Sequence, residues 1–525
     1  MRKTVVTVVA AALAVCLWAQ EKPERVDLEA AHRIRNEAFG ANSKVMDTAF
    51  HLSDVYGPRL TGSPGFKAAA DWAIGKMREW GLAKIKQEPW GPFGRSWICT
   101  HFAAEMKEPD FMPLIGFAQP WSPGTGGPIT AEAMMAVINT DDDLERFKGK
   151  LRGKIVLIAA PHASELAVNP MARRLSDAEL AAAMAAPDPQ FGNPAELPLG
   201  FPQRPPAPSA RRGGPDTRVR RAQLNKFLSD EGALVVLSPG NGPDGGTVMG
   251  TGAGSQDPHE DPPPPSVLIT NEHYNRIARL IEHNIPVKLS FDIEARFIER
   301  GDAFNVTAEI PGAHPETGLV MLGGHLDSWT GGTGATDNAA GAAMAMEAMR
   351  ILKTLDLKMA RTVRVALWSG EEQGMLGSQA YVRDHFADPS DMDPRAEYAK
   401  LSGYFNIDNG AGKIRGVYLQ DNDMIRPIFE AWLDPFRDLG AGTLTIRATG
   451  STDHVSFDAV GLPAFQFIQD PLEYAARSHH SNMDLYDRLQ AGDLEQASAL
   501  LAWFVYNTAT RPAMLPRKPV PKPEN

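Results

Sequence analysis

The stretch LVMLGGHLDSWTGGTGATDNAAG, from Leu319 to Gly341, decides how the rest of this chain is interpreted. Its first four residues form an apolar run of the length of a buried strand. His325 and Asp327 follow two glycines, and a glycine-rich loop then leads to Asp337 and an alanine-rich segment typical of a helix. Ligands in open α/β sheets gather beyond the carboxyl ends of parallel strands, so this order predicts a metal site. A metal-bound imidazole usually needs a carboxylate on its second nitrogen, and Asp327 lies on the same pleat face as His325.

The pattern around this stretch alternates strands with helices from about residue 300 to residue 510. Strands are predicted at 305–310, 319–322, 361–368, 403–407, 416–418, 444–446 and 464–468. Helices are predicted at 338–355, 377–384, 424–434 and 494–507. This alternation predicts an α/β fold with a mostly parallel central sheet and helices on both faces.

The length of 525 residues exceeds the size at which one core stops growing, so two or more domains are expected. The sequence predicts a discontinuous α/β domain made of residues 20–118 and 300–510. Residues 119–299 carry short strand patterns, two helical patterns and a proline- and arginine-rich span at 161–222, and they indicate an inserted, β-rich α+β domain. The proline-rich residues 511–525 are expected to be a disordered tail.

The composition excludes some partners and indicates export. A formal net charge of −11 lacks the basic footprint that nucleic-acid binding needs. Residues 1–19 combine Arg2 and Lys3 with an apolar run, which predicts a secretory signal peptide and a secreted or periplasmic protein. That run is too short to span a bilayer, so no transmembrane span is expected in the mature chain. Cys16 ends a sequence that loosely resembles a bacterial lipobox, and lipid anchoring there is the alternative.

Further candidate ligands follow other predicted strands. Glu371 and Glu372 come after strand 361–368, Asp408 ends strand 403–407, and His480 lies in the sequence HHSNMD at 479–484. With His325 and Asp337 they supply two histidines and three carboxylates for two zinc ions, with a carboxylate bridging the ions and a water between them. The remaining carboxylate would take the proton of that water. Adjacent glutamates suit this division, because neighbouring side chains diverge outside a helix.

Each of these residues also has an ordinary structural explanation when it is considered alone. A single histidine is more often structural than a ligand, and a pair of glutamates is usually a solvated helix start. Asp337 could cap the helix that follows it, and Asp408 beside Asn409 could open a turn. The metal hypothesis therefore depends on all the candidates together, in order, after strands of one sheet.

At this point the sequence resembles the co-catalytic zinc aminopeptidases, a family with glutamate carboxypeptidase and plasma-type carboxypeptidase branches. The resemblance covers residues 57–65, about 300–510, and the inserted segment, which looks like a protease-associated domain. It rests on the motifs GGHLD at 323–327, DNAAG at 337–341, GEE at 370–372, NID at 406–408 and HSNMD at 480–484. It implies the zinc-exopeptidase fold.

The resemblance also implies a ligand set. It assigns His325 and Asp408 to one zinc, Glu372 and His480 to the other, and Asp337 to the bridge between them.

Other residues receive supporting roles from the same resemblance. Glu371 would be the general base. Asp327 would orient His325, and Asp484 would do the same for His480.

Four residues at the edge of the motifs carry weaker assignments. His479 stands where relatives can place an oxyanion-stabilising tyrosine, and it could donate similarly. Asp453 and His454 resemble a loop near the substrate pocket. Arg59, in the breaker cluster, is expected to form an ion pair, with substrate contact as the alternative.

The function implied is a secreted, zinc-dependent exopeptidase that hydrolyses peptide bonds through a water activated by two zinc ions. An aminopeptidase is the first choice, with peptides as substrates. A carboxypeptidase or dipeptidase is the alternative, with Arg59, Arg447 or Arg477 holding a substrate carboxylate. A glutaminyl cyclase, or a non-enzymatic binding ectodomain of this fold, should lack part of the ligand set, which is complete here. The oligomeric state does not follow from the sequence.

Overall fold

The computed structural model describes residues 24–163, 168–186, 197–201, 219–243, 245–299 and 303–523. The predicted signal peptide and Cys16 lie outside these residues, as does much of the proline- and arginine-rich span. Two eight-stranded sheets are present in the described ranges. Each sheet has its own core of buried residues in this part of the chain.

The first sheet has eight strands, whose ranges close this paragraph, in the order β1-β10-β12-β11-β13-β16-β14-β15. Four neighbouring strands in the middle of the sheet, β12, β11, β13 and β16, run parallel. The strands outside them include antiparallel pairs. The strands are β1 (Ala83–Pro89), β10 (Phe304–Ile310), β11 (Leu319–His325), β12 (Thr362–Trp368), β13 (Leu401–Asn406), β14 (Ile414–Tyr418), β15 (Thr443–Thr445) and β16 (Ala464–Gln469).

Helices cover both faces of this sheet, as the sequence predicts. They are α1 (Leu28–Ala38), α2 (Val45–Phe50), α3 (Pro64–Glu79), α8 (Ala340–Thr354), α9 (Leu376–His385), α10 (Arg426–Leu433), α11 (His454–Asp458) and α12 (Ala491–Thr510). Side chains of β12 alternate between the two layers. Val363 and Val365 pack with α8 and α12, whereas Ala366 and Trp368 pack with α9 and α11.

The second sheet has the strand order β3-β2-β9-β5-β6-β7-β8-β4. Its strands are β2 (Ser96–Glu108), β3 (Met112–Pro113), β4 (Gly116–Ala118), β5 (Ile129–Met135), β6 (Ile155–Leu157), β7 (Val235–Pro239), β8 (Ser266–Ile269) and β9 (Lys288–Ile298). Its helices are α4 (Asp141–Phe147), α6 (Arg221–Asp230) and α7 (Asn271–Glu282). Helix α5 (Asp177–Met184) lies against the first sheet instead, where Leu180 packs with Tyr418 and Ile468.

The domain boundary differs from the expected residue 119. Strand β2 begins at Ser96 and pairs along its length with β9, and β4 pairs with β8 at the opposite edge. The second domain therefore takes residues 96–118 from the segment assigned to the first. A local sequence pattern does not show which strand a segment pairs with, so it cannot locate this boundary.

The C-terminal tail also differs from the expectation. Residues 511–523 form no helix or strand, but they contact the first domain. Leu515 is 2% exposed, and its N–H donates to the Ser402 hydroxyl over 3.3 Å. Arg517 donates to the Leu401 carbonyl over 2.7 Å. Expected disorder is thus wrong for these residues, because one buried leucine and backbone acceptors anchor a segment that has no periodic pattern.

Candidate metal centre

Three neighbouring strands deliver most of the candidate ligands to one edge of the first sheet. β11 ends at His325, which pairs in register with Trp368 at the end of β12. β13 ends at Asn406, two residues before Asp408. Because β12, β11 and β13 are adjacent and parallel, the residues after them share one crevice, as predicted.

The helix that follows Asp337 packs tightly against the Asp408 segment. A Cβ atom on Gly341 in α8 would lie 2.2 Å from the Ile407 carbonyl oxygen. Asn338 donates to the same carbonyl over 3.0 Å. This close approach needs a glycine at position 341, and it sets the distance between Asp337 and Asp408.

Asp337 lies between the two predicted histidine ligands. One of its oxygens is 3.2 Å from His325 Nε2 and the other is 3.2 Å from His480 Nε2. His325 Nε2 is also 3.4 Å from Asp408 Oδ1, and His480 Nε2 is 2.9 Å from Glu372 Oε2. The structure thus brings all five predicted ligands together as two groups that share Asp337.

The atoms of these groups have the chemistry of a metal site. Four of them are buried without a hydrogen-bond partner in the described part of the chain: His325 Nε2, Asp337 Oδ2, Glu372 Oε1 and Asp408 Oδ1. Buried polar atoms are nearly always satisfied, so a cluster of exceptions needs an explanation. Imidazole nitrogens and carboxylate oxygens are the ligands that zinc takes beside cysteine. The residues therefore fit zinc.

The pKa shifts of the pocket residues also fit a metal site. Burial alone would lower the pKa of His325, but Asp408 and Glu371 outweigh it and raise that pKa well above its usual value. His480 behaves likewise, with Glu372 as the main opposing charge. Burial raises the pKa of Glu371 well above its usual range and that of Glu372 to about 7. Without cations the pocket thus holds protons, and bound cations would displace them.

The two adjacent glutamates diverge as the sequence predicts. The side chain of Glu372 is 2% exposed and contacts His480. The side chain of Glu371 is 11% exposed and lies 3.9 Å from His325 Nε2 on the other side of the pocket. Glu371 therefore remains the carboxylate available to a water or substrate.

Asp327 lies against both His325 and the loop that carries the two glutamates, and orientation of His325 by its carboxylate stays a prediction. His325 Nδ1 is 3.0 Å from the backbone carbonyl of Asp327 and 3.6 Å from its carboxylate. That carboxylate accepts a hydrogen bond of 2.9 Å from the Thr61 hydroxyl and bonds of 3.4 Å from the N–H groups of Glu371 and Glu372. Asp327 therefore links the histidine ligand to the loop that carries both glutamates.

Arg59 binds backbone carbonyls instead of the expected carboxylate partner. It is fully buried, and burial lowers its pKa to about 10, which leaves it protonated at neutral pH. Its guanidinium donates over 2.6–2.8 Å to four backbone carbonyls, those of Leu52, Leu326, Thr333 and Gly334. Arg59 thus joins the helical N-terminal region to the loop that leads to Asp337. Sequence reasoning missed this role, and it missed Thr61 entirely.

Asp484 does not orient His480, contrary to the prediction. Its carboxylate accepts from the Thr336 N–H over 2.6 Å, from the Thr336 hydroxyl over 2.7 Å and from the Asp337 N–H over 3.2 Å. Burial and the nearby Asp337 raise the pKa of Asp484 to about 7. Asp484 therefore supports the shared ligand Asp337.

His479 lies at the mouth of the pocket. Its ring stacks on His480 with centroids 3.7 Å apart, and its Nε2 is 3.8 Å from Asp337 Oδ2. Burial lowers its pKa to about 4, so the ring is neutral at pH 7. Tyr474 meets His479 edge-on at 5.0 Å. A neutral imidazole here can donate one hydrogen bond, so stabilisation of an oxyanion by His479 stays a prediction.

Asp453 and His454 are both fully buried at the start of α11. Burial raises the pKa of Asp453 to about 7, against the opposing charge of His325. His454 Nε2 lies 3.0 Å from the Thr449 carbonyl oxygen, and burial lowers the pKa of His454 to about 4. Asp453 therefore belongs to the buried carboxylate group beneath the ligands. Substrate contact by either residue stays a prediction.

The second domain reaches this centre. Trp121 meets Trp329 edge-on at 5.8 Å, and Trp329 meets His480 at 6.1 Å. Phe201 meets His479 at 5.8 Å. A separate cavity of about 640 Å³ between residues 55–68 and 97–102 contains none of the ligands.

Comparison with known proteins finds that this chain is similar to peptidases. The model of peptidase family M28 matches residues 305–505. Carboxypeptidase Q from Homo sapiens is 26% identical over 469 residues, which cover 89% of this chain and 85% of that protein. Aminopeptidase YwaD from Bacillus subtilis (strain 168) is 28% identical over 204 residues, covering 38% of this chain and 42% of that protein.

Solved structures agree at the level of the fold. A peptidase M28 precursor from Shewanella amazonensis has a TM-score of 0.66 at 24% identity, covering 94% of this chain and 99% of that chain. BSAP, a zinc aminopeptidase from Bacillus subtilis, has a TM-score of 0.54 at 20% identity, covering 89% and 95%. The coverage includes both sheets, so the two-domain arrangement occurs in other proteins.

Proposed function

We propose that this chain, which belongs to peptidase family M28 and is a zinc exopeptidase, is an aminopeptidase that uses two zinc ions. The observation that carries the proposal is the convergence of five ligands in two groups around Asp337. Peptides are its substrates.

His325 and Asp408 would hold one ion, His480 and Glu372 the other, and Asp337 both. The two oxygens of Asp337, one toward each histidine, support this division. When bound, zinc supplies Lewis acidity at the scissile carbonyl and a water acidic enough to attack at neutral pH.

Glu371 is assigned the proton transfer. Its carboxylate would accept the proton of the attacking water and deliver it to the leaving nitrogen. Glu371→Gln should lower kcat by about 10²–10⁴-fold, the usual contribution of a general base, and should leave zinc content unchanged.

The adjacent residue provides the control for that experiment. Glu372→Gln should lower zinc content, because Glu372 lies 2.9 Å from His480 within a ligand group. Elemental analysis and initial rates on an aminoacyl-anilide measure both variants. An active Glu371→Gln enzyme would overturn the assignment.

The charge of the pocket favours a substrate amine over a substrate carboxylate. Beyond the ligands it holds Asp327, Asp453 and Asp484, all buried. Arg59 is occupied by four carbonyls, and Arg477 lies 3.4 Å from Glu473. A free α-ammonium group therefore suits the site, and its recognition would limit cleavage to the first residue.

A second candidate is hydrolysis of free dipeptides or of C-terminal residues. The observation that favours it is the similarity to Carboxypeptidase Q, which extends over both domains. Rates on an aminoacyl-anilide, its N-acetyl derivative, a free dipeptide and the dipeptide amide separate the two. Aminopeptidase activity predicts cleavage of the anilide and the amide and no cleavage of the acetylated compound. A requirement for a free carboxylate would select the second candidate.

Export is proposed on the basis of residues 1–19. In the described part of the chain, no helix is both long and apolar enough to cross a bilayer. Mass spectrometry of the mature protein should find an N-terminus near residue 20. A lipid-modified Cys16 at the N-terminus would establish the alternative, and an intact Met1 would contradict both.

A further inference from the structure

His480 reaches the centre in a different way from the other ligands. Its segment, 479–484, contains no helix or continuous strand, whereas His325 ends a central strand. Its backbone has φ of +56°, a left-handed conformation that is uncommon outside glycine. Such a conformation persists only where the surroundings hold it. The position of His480 therefore needs support from the contacts that its segment makes with the rest of the protein.

At its N-terminal end the segment is supported by the second domain, through the loop between β7 and β8, and at Asp484 it is bonded to the first domain. The Gly250 N–H donates to the His480 carbonyl over 2.9 Å. The Asn482 N–H donates to the Val248 carbonyl over 3.1 Å. Backbone bonds thus tie the histidine segment to the second domain on both sides of Ser481.

The side chain of Asn482 completes this attachment. Its Oδ1 accepts from the Val248 N–H over 2.7 Å, and its Nδ2 donates to the Gly246 carbonyl over 3.0 Å. The amide therefore satisfies a backbone donor and a backbone acceptor at once. Val248 is fully buried against Phe117 and Leu268, so the partner loop is anchored in the core of the second domain.

We infer that Asn482 is a positioning residue that makes the ligand His480 depend on attachment to the second domain. The inference rests on the proposed function, because it concerns the ligand of one of the two proposed zinc ions. In this arrangement the second domain is part of the metal centre, and one ion is bound tightly only when that domain is in place.

The test compares Asn482→Ala with Asn271→Ala in the full-length protein. Asn271 is the matched control, because its amide donates over 3.0 Å to Gly242 at the base of the same loop and does not contact the histidine segment. Zinc content is measured at equilibrium across a range of buffered free Zn²⁺, with kcat, KM and the melting temperature of each variant.

Asn482→Ala should lower the affinity for one zinc ion by about 10–100-fold, which is the usual effect of losing a residue that supports a ligand. The affinity for the other ion should stay unchanged. We expect kcat to fall with that ion, KM to stay within about threefold and the melting temperature to stay close to that of the wild type. Asn271→Ala should retain both ions. A purely structural role for Asn482 would change the melting temperature without selecting one ion.

Two results would overturn the inference. Wild-type zinc affinity in Asn482→Ala would show that His480 needs no support from the amide. An equal loss of zinc in Asn271→Ala would attribute the effect to general weakening of the second domain. Wild-type protein that bound no zinc would overturn the proposed function as well, and it would be detected before the variants are compared.

Discussion

Arg59 allows the sharpest test of how the metal centre is held. Replacing it with methionine keeps a long unbranched side chain but removes four hydrogen bonds to backbone carbonyls. Each buried acceptor left without a donor costs about 1–3 kcal/mol. The Gly334 carbonyl keeps a second donor, the Ala339 N–H, so three acceptors are left without one. At the low end of that range they give about 3 kcal/mol, a large fraction of the roughly 5–15 kcal/mol that stabilises a typical protein.

Arg59→Met should weaken zinc binding as well as lower stability. Two of the four acceptors, Thr333 and Gly334, directly precede the turn that carries Asp337. Freeing that loop should therefore weaken zinc binding in Arg59→Met. Arg59→Lys should be intermediate, because an ammonium group keeps the charge but cannot reproduce the fork of guanidinium donors.

Urea unfolding of the zinc-free and zinc-loaded proteins measures both effects. The control is Arg35→Met, because Arg35 pairs with an exposed Asp438 at the surface and should contribute less than about 1 kcal/mol. A loss below about 1 kcal/mol in Arg59→Met would refute the reasoning. A raised KM at unchanged stability would instead support the alternative of substrate contact.

Three further predictions concern single residues. Thr61→Val removes two hydrogen bonds of 2.9 Å from the hydroxyl, one donated to Asp327 and one accepted from the Gly370 N–H. A loss of about 1.4 kcal/mol should lower kcat about tenfold, and an unchanged kcat would show that the glutamate loop is held without them. Asp484→Asn should lower zinc affinity about 10–100-fold in an equilibrium titration. An unchanged affinity would contradict the support of Asp337 by Asp484. Burial would lower the pKa of His385, but Glu397 and Glu88 raise it to about 9, whereas a histidine in an unfolded chain has a pKa of about 6.5. The contribution of His385 to the free energy of unfolding is therefore fully present below pH 6.5 and is lost as the pH rises through 9. The difference in free energy of unfolding between wild type and His385→Gln should therefore shrink from pH 6 to pH 10, and a constant difference would contradict this.

The strands and the ligand positions could be predicted because both leave local signals. The run from Leu319 to Leu322 is buried as expected, and β11 extends from it to His325. His325 and Asp408 stand at the ends of adjacent parallel strands, so their convergence follows from topology alone. The divergence of Glu371 and Glu372 follows from elementary backbone geometry.

The supports around those ligands could not be predicted. Arg59 lies 274 residues from its acceptor Thr333, and the Asn482 amide lies 234 residues from Val248. Neither contact has a periodic pattern or a fixed spacing. The family resemblance implies that Asp484 orients His480, but the fold places its carboxylate against Thr336 and Asp337 instead.

The α/β architecture and the candidate ligands can be predicted from the sequence, because burial periodicity and strand ends are local properties. The start of the second domain and the polar groups that contact each candidate ligand are visible only in the three-dimensional structure. The physical reason is that a buried donor must find whichever acceptor packing brings near it. That choice depends on how distant strands and loops meet, and no short stretch of sequence records it.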